Sequence, residues 1–399
     1  MELHISSRLI GSDLGLTVDD VSGTSTFDSG APTTWTVGNM NAQYSVEMLA
    51  AVSGIQANLQ PPDAFVQAQQ EVGISPTMTP WHWVLPPEVF RQYIRDILEA
   101  SRDVLDRGVV EYYSSVFRAA RNCLDRLERA AVDEPELDVR LRQEGTQGQC
   151  RVLRSFAPEP DGLARPVTYC QVSSRTGRLV VRDGPQILTL RRNLRGILRS
   201  RYSGGIILQV DFVSLEARIA GLLGGVIPER DVYAQVARDV LGGRHSRAAA
   251  KLASLSVLYG AGPQRLASQL GVERDEAVGI IEEVSGFFGA ATRARSLVKE
   301  AVHRGCISNF YGRVLPADDK SSHVLYNNFI QSTGVDVAML GFNWIMDRLG
   351  NRIHPLFVLH DALILDVHPD RMTHIADLAG GTVPVDGFLG SFYIDVSEF

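Results

Sequence analysis

Apolar residues are patterned differently along this chain of 399 residues, and the changes mark its elements. Residues 1–85 show short apolar runs without a sustained period, set among Ser, Thr, Gly and Pro as in SGTSTFDSGAPTTWTVG. Such composition fits an irregular cap, an interaction segment or a reduced remnant of another domain. From residue 87 the period becomes helical. Phe90, Tyr93, Ile94 and Ile97, then Val109, Tyr113, Val116, Phe117 and Leu124, predict two amphipathic helices that AVDEPELD closes. Gly- and Arg-rich loops follow, with β-like runs at VTYCQVSS and GRLVVRDG. GGIILQVDF predicts a buried strand, and SLEARIAGLL a helix that its leading serine, Ser214, can cap. Over residues 243–260, Arg247, Lys251, Leu255 and Tyr259 stand four apart and so share about one helical face. Helices at RDEAVGIIEEVSGFFG and TRARSLVKEAVHRG, a turn at NFYGRVLP and a long helix at HVLYNNFIQSTGVDVAMLGFNWIMDRL come next. PLFVLHDALILDVHP predicts a β-hairpin with His360 and Asp361 between its strands.

The hydrophobic content of 45% includes no apolar run near membrane-spanning length. The start, MELHISSRLIGSDLGL, lacks a basic stretch followed by a continuous apolar one, so the expected location is the cytoplasm. Cys123, Cys150, Cys170 and Cys306 lie far apart, at no zinc-type spacing, and read as inert thiols of a reducing compartment. A net charge of −7 by itself argues against nucleic acid, but the average hides the distribution. Residues 1–90 hold one basic residue, Arg8, against nine acids, whereas residues 140–201 hold thirteen arginines against four acids. A basic band between acidic ends survives the negative total.

Asp211 and Asp361 are carboxylates embedded in apolar strand sequence, where an ionised group is costly unless paired or bound to a cation. Each alone fits a turn or cap. Two meeting at one sheet edge would hold Mg²⁺ and suit phosphoryl or nucleotidyl transfer. The face with Arg247, Lys251 and Tyr259 fits a solvated surface or, beside such aspartates, a nucleotide site. Two cations one turn apart can clamp a triphosphate while a ring stacks beside them.

These stretches resemble the motifs of family A DNA polymerases, the bacterial DNA polymerase I type. DFVSLEAR is similar to motif A, D-Y-S-x-I-E-x-R, with Asp211, Glu216 and Arg218 in register. RAAAKLASLSVLYGAG resembles motif B, R-x3-K-x3-F-G-x2-Y-G, through Arg247, Lys251, Tyr259 and Gly260, and VLHDALILDV resembles motif C through His360 and Asp361. Lesser motifs keep the same order: TGRL with Arg178, RDVY with Asp231 and Tyr233, YGRVLP with Arg313, and NNFIQSTGVDV with Asn327, Gln331 and Asp336. The resemblance runs over roughly residues 165–399.

The resemblance implies an α/β (α+β) right-hand fold with an antiparallel-sheet palm, helical fingers and a helical thumb. Residues 86–165 would form thumb-like helices, 166–230 and 311–399 the two parts of the palm, and 231–310 the fingers, with 1–85 of unassigned role. It implies a template-dependent DNA polymerase using two Mg²⁺ ions, or Mn²⁺, held by Asp211 and Asp361. Lys251 and Arg247 would hold the dNTP triphosphate, Lys251 also supplying a proton to the leaving pyrophosphate. Tyr259 and Tyr233 would wall the insertion site, and Glu216 would sit under the sugar and exclude a 2′-hydroxyl. Arg178, Gln331, Asn327, His360 and Arg313 would contact primer-template DNA by shape. Gln331 and Asn327 also fit helix cross-links, and His360 a packed hairpin residue.

Four positions depart from the pattern. Leu255 replaces an aromatic, Ser256 a glycine, Ala362 the motif C glutamate, and His323 an arginine. Leu255 and Ser256 motivate an alternative, a ribonucleotide-tolerant or primase-like nucleotidyltransferase; a lapsed polymerase fold acting as a DNA-binding scaffold is another. Single-subunit phage RNA polymerases share the motif B frame but have a small residue at the place of Glu216, which favours DNA. Residues 1–85 are too short for an exonuclease domain and contain no Asp-x-Glu, so no proofreading is expected. Asp211 and Arg247 are only 36 positions apart, the compactness of a phage-like enzyme working in a bacterial or phage-infected cytoplasm. The acidic N-terminal segment is a candidate contact for a replisome protein, and no membrane partner is expected.

Overall fold

In a computed structural model of the chain, the described residues are 110–399 apart from 172, 173 and 320, with five short strands between residues 2 and 45 and scattered residues between 67 and 95. The strands are β1 (Glu2–Ile5), β2 (Gly15–Asp19), β3 (Ser25–Asp28), β4 (Thr36–Val37) and β5 (Tyr44–Ser45), paired antiparallel in the order β3-β2-β1-β4-β5. Composition left an irregular cap, an interaction segment and a reduced domain remnant open for residues 1–85; the described part of that stretch is mostly short strand. Strands of two to five residues are too short to register a two-residue period, and pairing between them supplies what local pattern cannot. Residues 87–89, 91–92 and 95 are helical; the rest of the first predicted helix lies outside the described residues. The chain divides into two compact units, Met1–Ser115 with Tyr311–Val314, and Val116–Phe310 with Leu315–Phe399.

Helix α1 (Val110–Asp125) is followed by β6 (Ala131–Val132), α2 (Glu134–Gln143) and α3 (Gln147–Arg154). AVDEPELD therefore starts a helix rather than closing one: Asp133 accepts the Glu136 N–H at 3.0 Å, and Pro135 sits in the first turn, where no N–H is needed. The two β-like runs are strands, β7 (Thr168–Cys170) and β8 (Val180–Asp183), which pair antiparallel. β9 (Leu198–Arg199) pairs with β6 and leads into β10 (Ile206–Phe212).

β10 alternates. Leu208, Val210 and Phe212 are buried, while Gln209 and Asp211 on the other face are only half-buried. After it come α4 (Leu215–Leu223), α5 (Val232–Gln235), a π-turn at Val236–Val240, and α6 (Arg247–Tyr259). α7 (Pro263–Leu270), α8 (Arg274–Phe287) and α9 (Ala290–Arg304) complete this helical region. Ser246 caps α6 by accepting the Ala249 N–H at 3.2 Å. Ser214 does not cap α4: it has φ 52°, ψ 44° and makes no capping bond, because the chain must turn sharply out of β10 there.

β11 (Cys306–Ser308) and β12 (Val314–Pro316) precede α10 (Ser322–Leu349), 28 residues long and buried on most sides. β13 (Ile353–Leu359) and β14 (Ala362–Val367) form the predicted hairpin, followed by α11 (Met372–Gly380) and β15 (Ile394–Glu398), neither of which stands out in the sequence. The central sheet runs β13-β14-β10-β15, all antiparallel, with Asp211 opposite Ala362 on β14 and Asp395 on β15. α10 packs on the Phe212 face: the Phe212 and Phe342 rings are 5.6 Å apart, and a Cβ at Gly341 would strike the Phe212 ring.

Candidate active site

Sheet register places the two aspartates side by side. Asp211 is the penultimate residue of β10, and Asp361 is in the two-residue turn joining β13 to β14, its carbonyl accepting the Phe212 N–H at 3.1 Å. The turn holds His360 at φ 57°, and Ser214 at φ 52° marks the exit from β10. Two of the three non-glycine residues with positive φ among the described residues thus flank the pair, the local strain expected where a site over-determines the backbone.

Burial, then the Asp361 carboxylate, pushes the Asp211 carboxyl up to about 7; Asp395 across the strand adds to the rise and Gln209 opposes it. Burial raises the Asp361 carboxyl, against its own backbone N–H, His360 and Arg178. Asp211 Oδ1 is buried without a hydrogen-bond partner. A buried acceptor with no donor, beside a second carboxylate, has the electrostatics that a bound cation satisfies. No cluster of three metal-type side chains occurs among the described residues, so a cation here would draw its other oxygens from substrate and water.

Next to Asp361 opens a cleft of about 490 Å³ whose walls include Arg178, Glu216, Tyr233, Leu255, Tyr259, Gln331 and His360. Seven residues predicted from the sequence thus meet here, counting Asp361 and excluding Leu255. Glu216, on the first turn of α4, accepts from the Tyr259 hydroxyl on α6 and from Arg178 Nη2 at 2.9 Å. Burial and the Glu216 carboxylate push the Tyr259 hydroxyl pKa up, keeping it a donor. Tyr233 is buried and bonded to the Ser214 hydroxyl. Ser256 turns its hydroxyl into its own helix, donating to the Leu252 carbonyl at 2.9 Å, which leaves Leu255 as the residue of that pair lining the cleft.

The cations stand behind Tyr233. The Arg247 guanidinium and Lys251 Nζ are each 5.8 Å from its ring centroid, and Lys251 forms no ion pair with a described residue. Arg247 Nε donates to Asp231 at 2.5 Å, and Asp231 also caps α5 through the Ala234 N–H at 3.0 Å. Sequence reasoning matched Asp231 to a motif without giving it this double role. Arg218 is similar: fully buried, 4.5 Å from the Tyr393 ring, it donates to the carbonyls of Pro228, Glu229 and Arg230 and so fixes the loop that delivers Asp231. Burial lowers its pKa to about 10.

Other expected residues are less involved. Asn327 accepts from Gln331 Nε2 at 2.6 Å, a link within α10 that aims the glutamine. Asp336 is buried and accepts from Asn309 Nδ2 at 2.7 Å and Gln171 Nε2 at 3.4 Å, a core role. Arg313 is buried and does not line the cleft.

Residues 155–384 match the sequence model of DNA polymerase family A. A thermostable DNA polymerase I of Thermus filiformis is 26% identical over 344 residues, covering 69% of this chain and 41% of the relative. The DNA polymerase of Mycobacterium phage D29 is 28% identical over 148 residues, covering 34% and 24%. The chain thus spans about two fifths of the first relative's length and about a quarter of the second's. Among solved structures, the POL domain of Pol1 from M. smegmatis, in complex with DNA primer-template and dNTP, superposes with a TM-score of 0.64 at 15% identity, covering 97% of this chain and 92% of that one; the fold is shared. The family match spans more than half of the chain, including every residue of the cleft, and the chain belongs to DNA polymerase family A.

Proposed function

We propose that this chain is a template-dependent DNA polymerase that adds dNTPs to a primer 3′ end by nucleotidyl transfer assisted by two divalent cations. One observation carries the proposal: carboxylates 150 residues apart in sequence stand together in the sheet, and one of them, Asp361, lines a cleft walled by Tyr259, Tyr233 and Glu216. The names of the similar proteins support the DNA assignment, as does the primer-template and dNTP bound to the M. smegmatis domain.

Asp211 and Asp361 would hold Mg²⁺, or Mn²⁺, through Asp211 Oδ1 and the Asp361 carboxylate. When bound, the ions supply charge neutralisation at the α-phosphate and a lowered pKa for the primer hydroxyl. Lys251 and Arg247 offset the triphosphate charge, and Lys251 donates a proton to the departing pyrophosphate. Arg247 is held ready by Asp231. Tyr259 and Tyr233 bound the space for base and sugar, and Glu216, fixed by Tyr259 and Arg178, stands where a 2′-hydroxyl would collide with it. Gln331, aimed by Asn327, and His360 at the hairpin tip contact the primer-template. Arg178 gives one donor, Nη2, to Glu216, and its remaining N–H groups would contact the DNA.

Mg²⁺-dependent extension of a labelled primer on the full chain tests the assignment. Extension with dNTPs, discrimination against rNTPs, and loss of at least about a thousandfold in kcat for Asp361→Ala are expected. Equal use of rNTPs would favour the ribonucleotide-tolerant alternative that Leu255 motivates. Full activity of Asp361→Ala would remove the catalytic assignment. We further propose that these residues act without proofreading; a 3′-mismatched primer is then extended or left intact, never shortened.

A further inference from the structure

Sheet geometry puts Gln209 on the same face of β10 as Asp211, two residues before it. Gln209 Nε2 donates to Asp211 Oδ2 at 3.4 Å, while Gln209 Oε1 accepts from Arg195 Nη1 at 3.1 Å. Arg195 lies in the short 3-10 segment Arg192–Ile197, between the buried Leu194 and Ile197, with its guanidinium 4.2 Å from the Phe399 ring centroid. Phe399 is tied to β10 by donating its N–H to the Ile207 carbonyl at 3.1 Å.

The polarity of this chain of contacts runs one way. A guanidinium has only donors, so Arg195 can bind only the oxygen end of the Gln209 amide. The NH₂ end must then point toward Asp211, whose ionised carboxylate can only accept. Arg195 therefore selects the flip of the amide, and the amide fixes one oxygen of the carboxylate. The other oxygen, Oδ1, is the buried one with no hydrogen-bond partner.

We propose that Gln209 and Arg195 form a positioning relay that anchors Asp211 Oδ2 and presents Oδ1 to the divalent cation. The proposal rests on Asp211 being a cation ligand, as proposed above. A metal-binding carboxylate left free to rotate loses orientation, and removing an outer-shell partner of a ligand costs about 10- to 100-fold in metal affinity. Neither residue belongs to the motifs that link this chain to its family, and neither lines the cleft.

Mn²⁺ binding to the full chain, followed by electron paramagnetic resonance of the free ion without DNA, tests the relay alongside primer extension. Gln209→Met, which keeps volume and loses both polar ends, is expected to weaken Mn²⁺ binding about tenfold. The Mg²⁺ concentration for half-maximal extension should rise in parallel while the KM for dNTP stays unchanged. Arg195→Met should show a smaller loss, Arg195→Lys should restore most of it by still donating to Oε1, and the double variant should match Gln209→Met, since serial links are not additive. Parental Mn²⁺ affinity in Gln209→Met, with Asp211→Asn abolishing binding, would overturn the relay and leave the cation role of Asp211 standing. Parental affinity in Asp211→Asn would overturn that role itself. Arg195→Met and Arg195→Lys both behaving as the parent would also overturn the relay.

Discussion

Asp211 is held at about 7 by burial and by the Asp361 carboxylate beside it, so without cations the folded chain binds this proton more tightly than the unfolded chain does. Its contribution to stability is therefore greatest at pH values below the usual carboxylate range and is lost as pH rises toward 7. Metal-free protein should lose thermal stability across that interval, and Asp211→Asn should flatten the loss and raise the midpoint at pH 7.5 by about 2 °C. Calorimetry in EDTA across the pH range checks this; a variant that is less stable at neutral pH would contradict it. Saturating Mg²⁺ should favour the parent instead, because only the carboxylate pair gains from the ion.

At the scale of elements, the site depends on how closely α10 approaches β10. Gly341 admits the Phe212 ring where any Cβ would collide, and that contact sets the strand whose other face carries Asp211. Gly341→Ala should destabilise by about 1–3 kcal/mol through overpacking, read as a lower urea midpoint with unchanged m. Primer extension should fall with it, since β10 cannot shift without moving the aspartate. α6 offers a contrast: its Ser246 is a true cap, as the capping pattern suggests, whereas Ser214 sits at a turn that a capping pattern in the sequence misrepresents. Both serines precede an apolar helical run. Only one has the extended backbone that a cap requires, and the bend out of β10 decides which.

The whole molecule carries a net charge of −7, yet its arginines are concentrated between residues 140 and 201. Many are paired with carboxylates, as Arg140 with Glu136 and Arg165 with Asp183. Arg151, Arg154, Arg182 and Arg192 are exposed and form no ion pair with a described residue, so they are available to phosphates. With these four on phosphates, affinity for primer-template DNA should fall by about 10² between 50 and 200 mM salt despite the negative total, as anisotropy titrations can establish. A salt-independent affinity would place DNA elsewhere than on this band.

Chemistry was legible in the sequence where it needs fixed spacing along one element. The four-residue steps of α6, the apolar strand before Asp211 and the two residues between β13 and β14 are local, and periodicity and turn chemistry dictate them. What faces what was not legible. Asp361 reaches Asp211, Glu216 reaches Tyr259 and Arg178, and Arg195 reaches Gln209 through strand register and helix packing, contacts between residues 14 to 150 positions apart. The late strand β15 belongs to the same class, since it pairs with the distant β10, whereas β1 to β5 pair mostly with their neighbours in the chain and escape a sequence reading because they are short. Local pattern determines which residues share a face, because backbone period is intrinsic to each element. Only the tertiary structure decides which faces meet, because burial and hydrogen bonding between distant segments select the register.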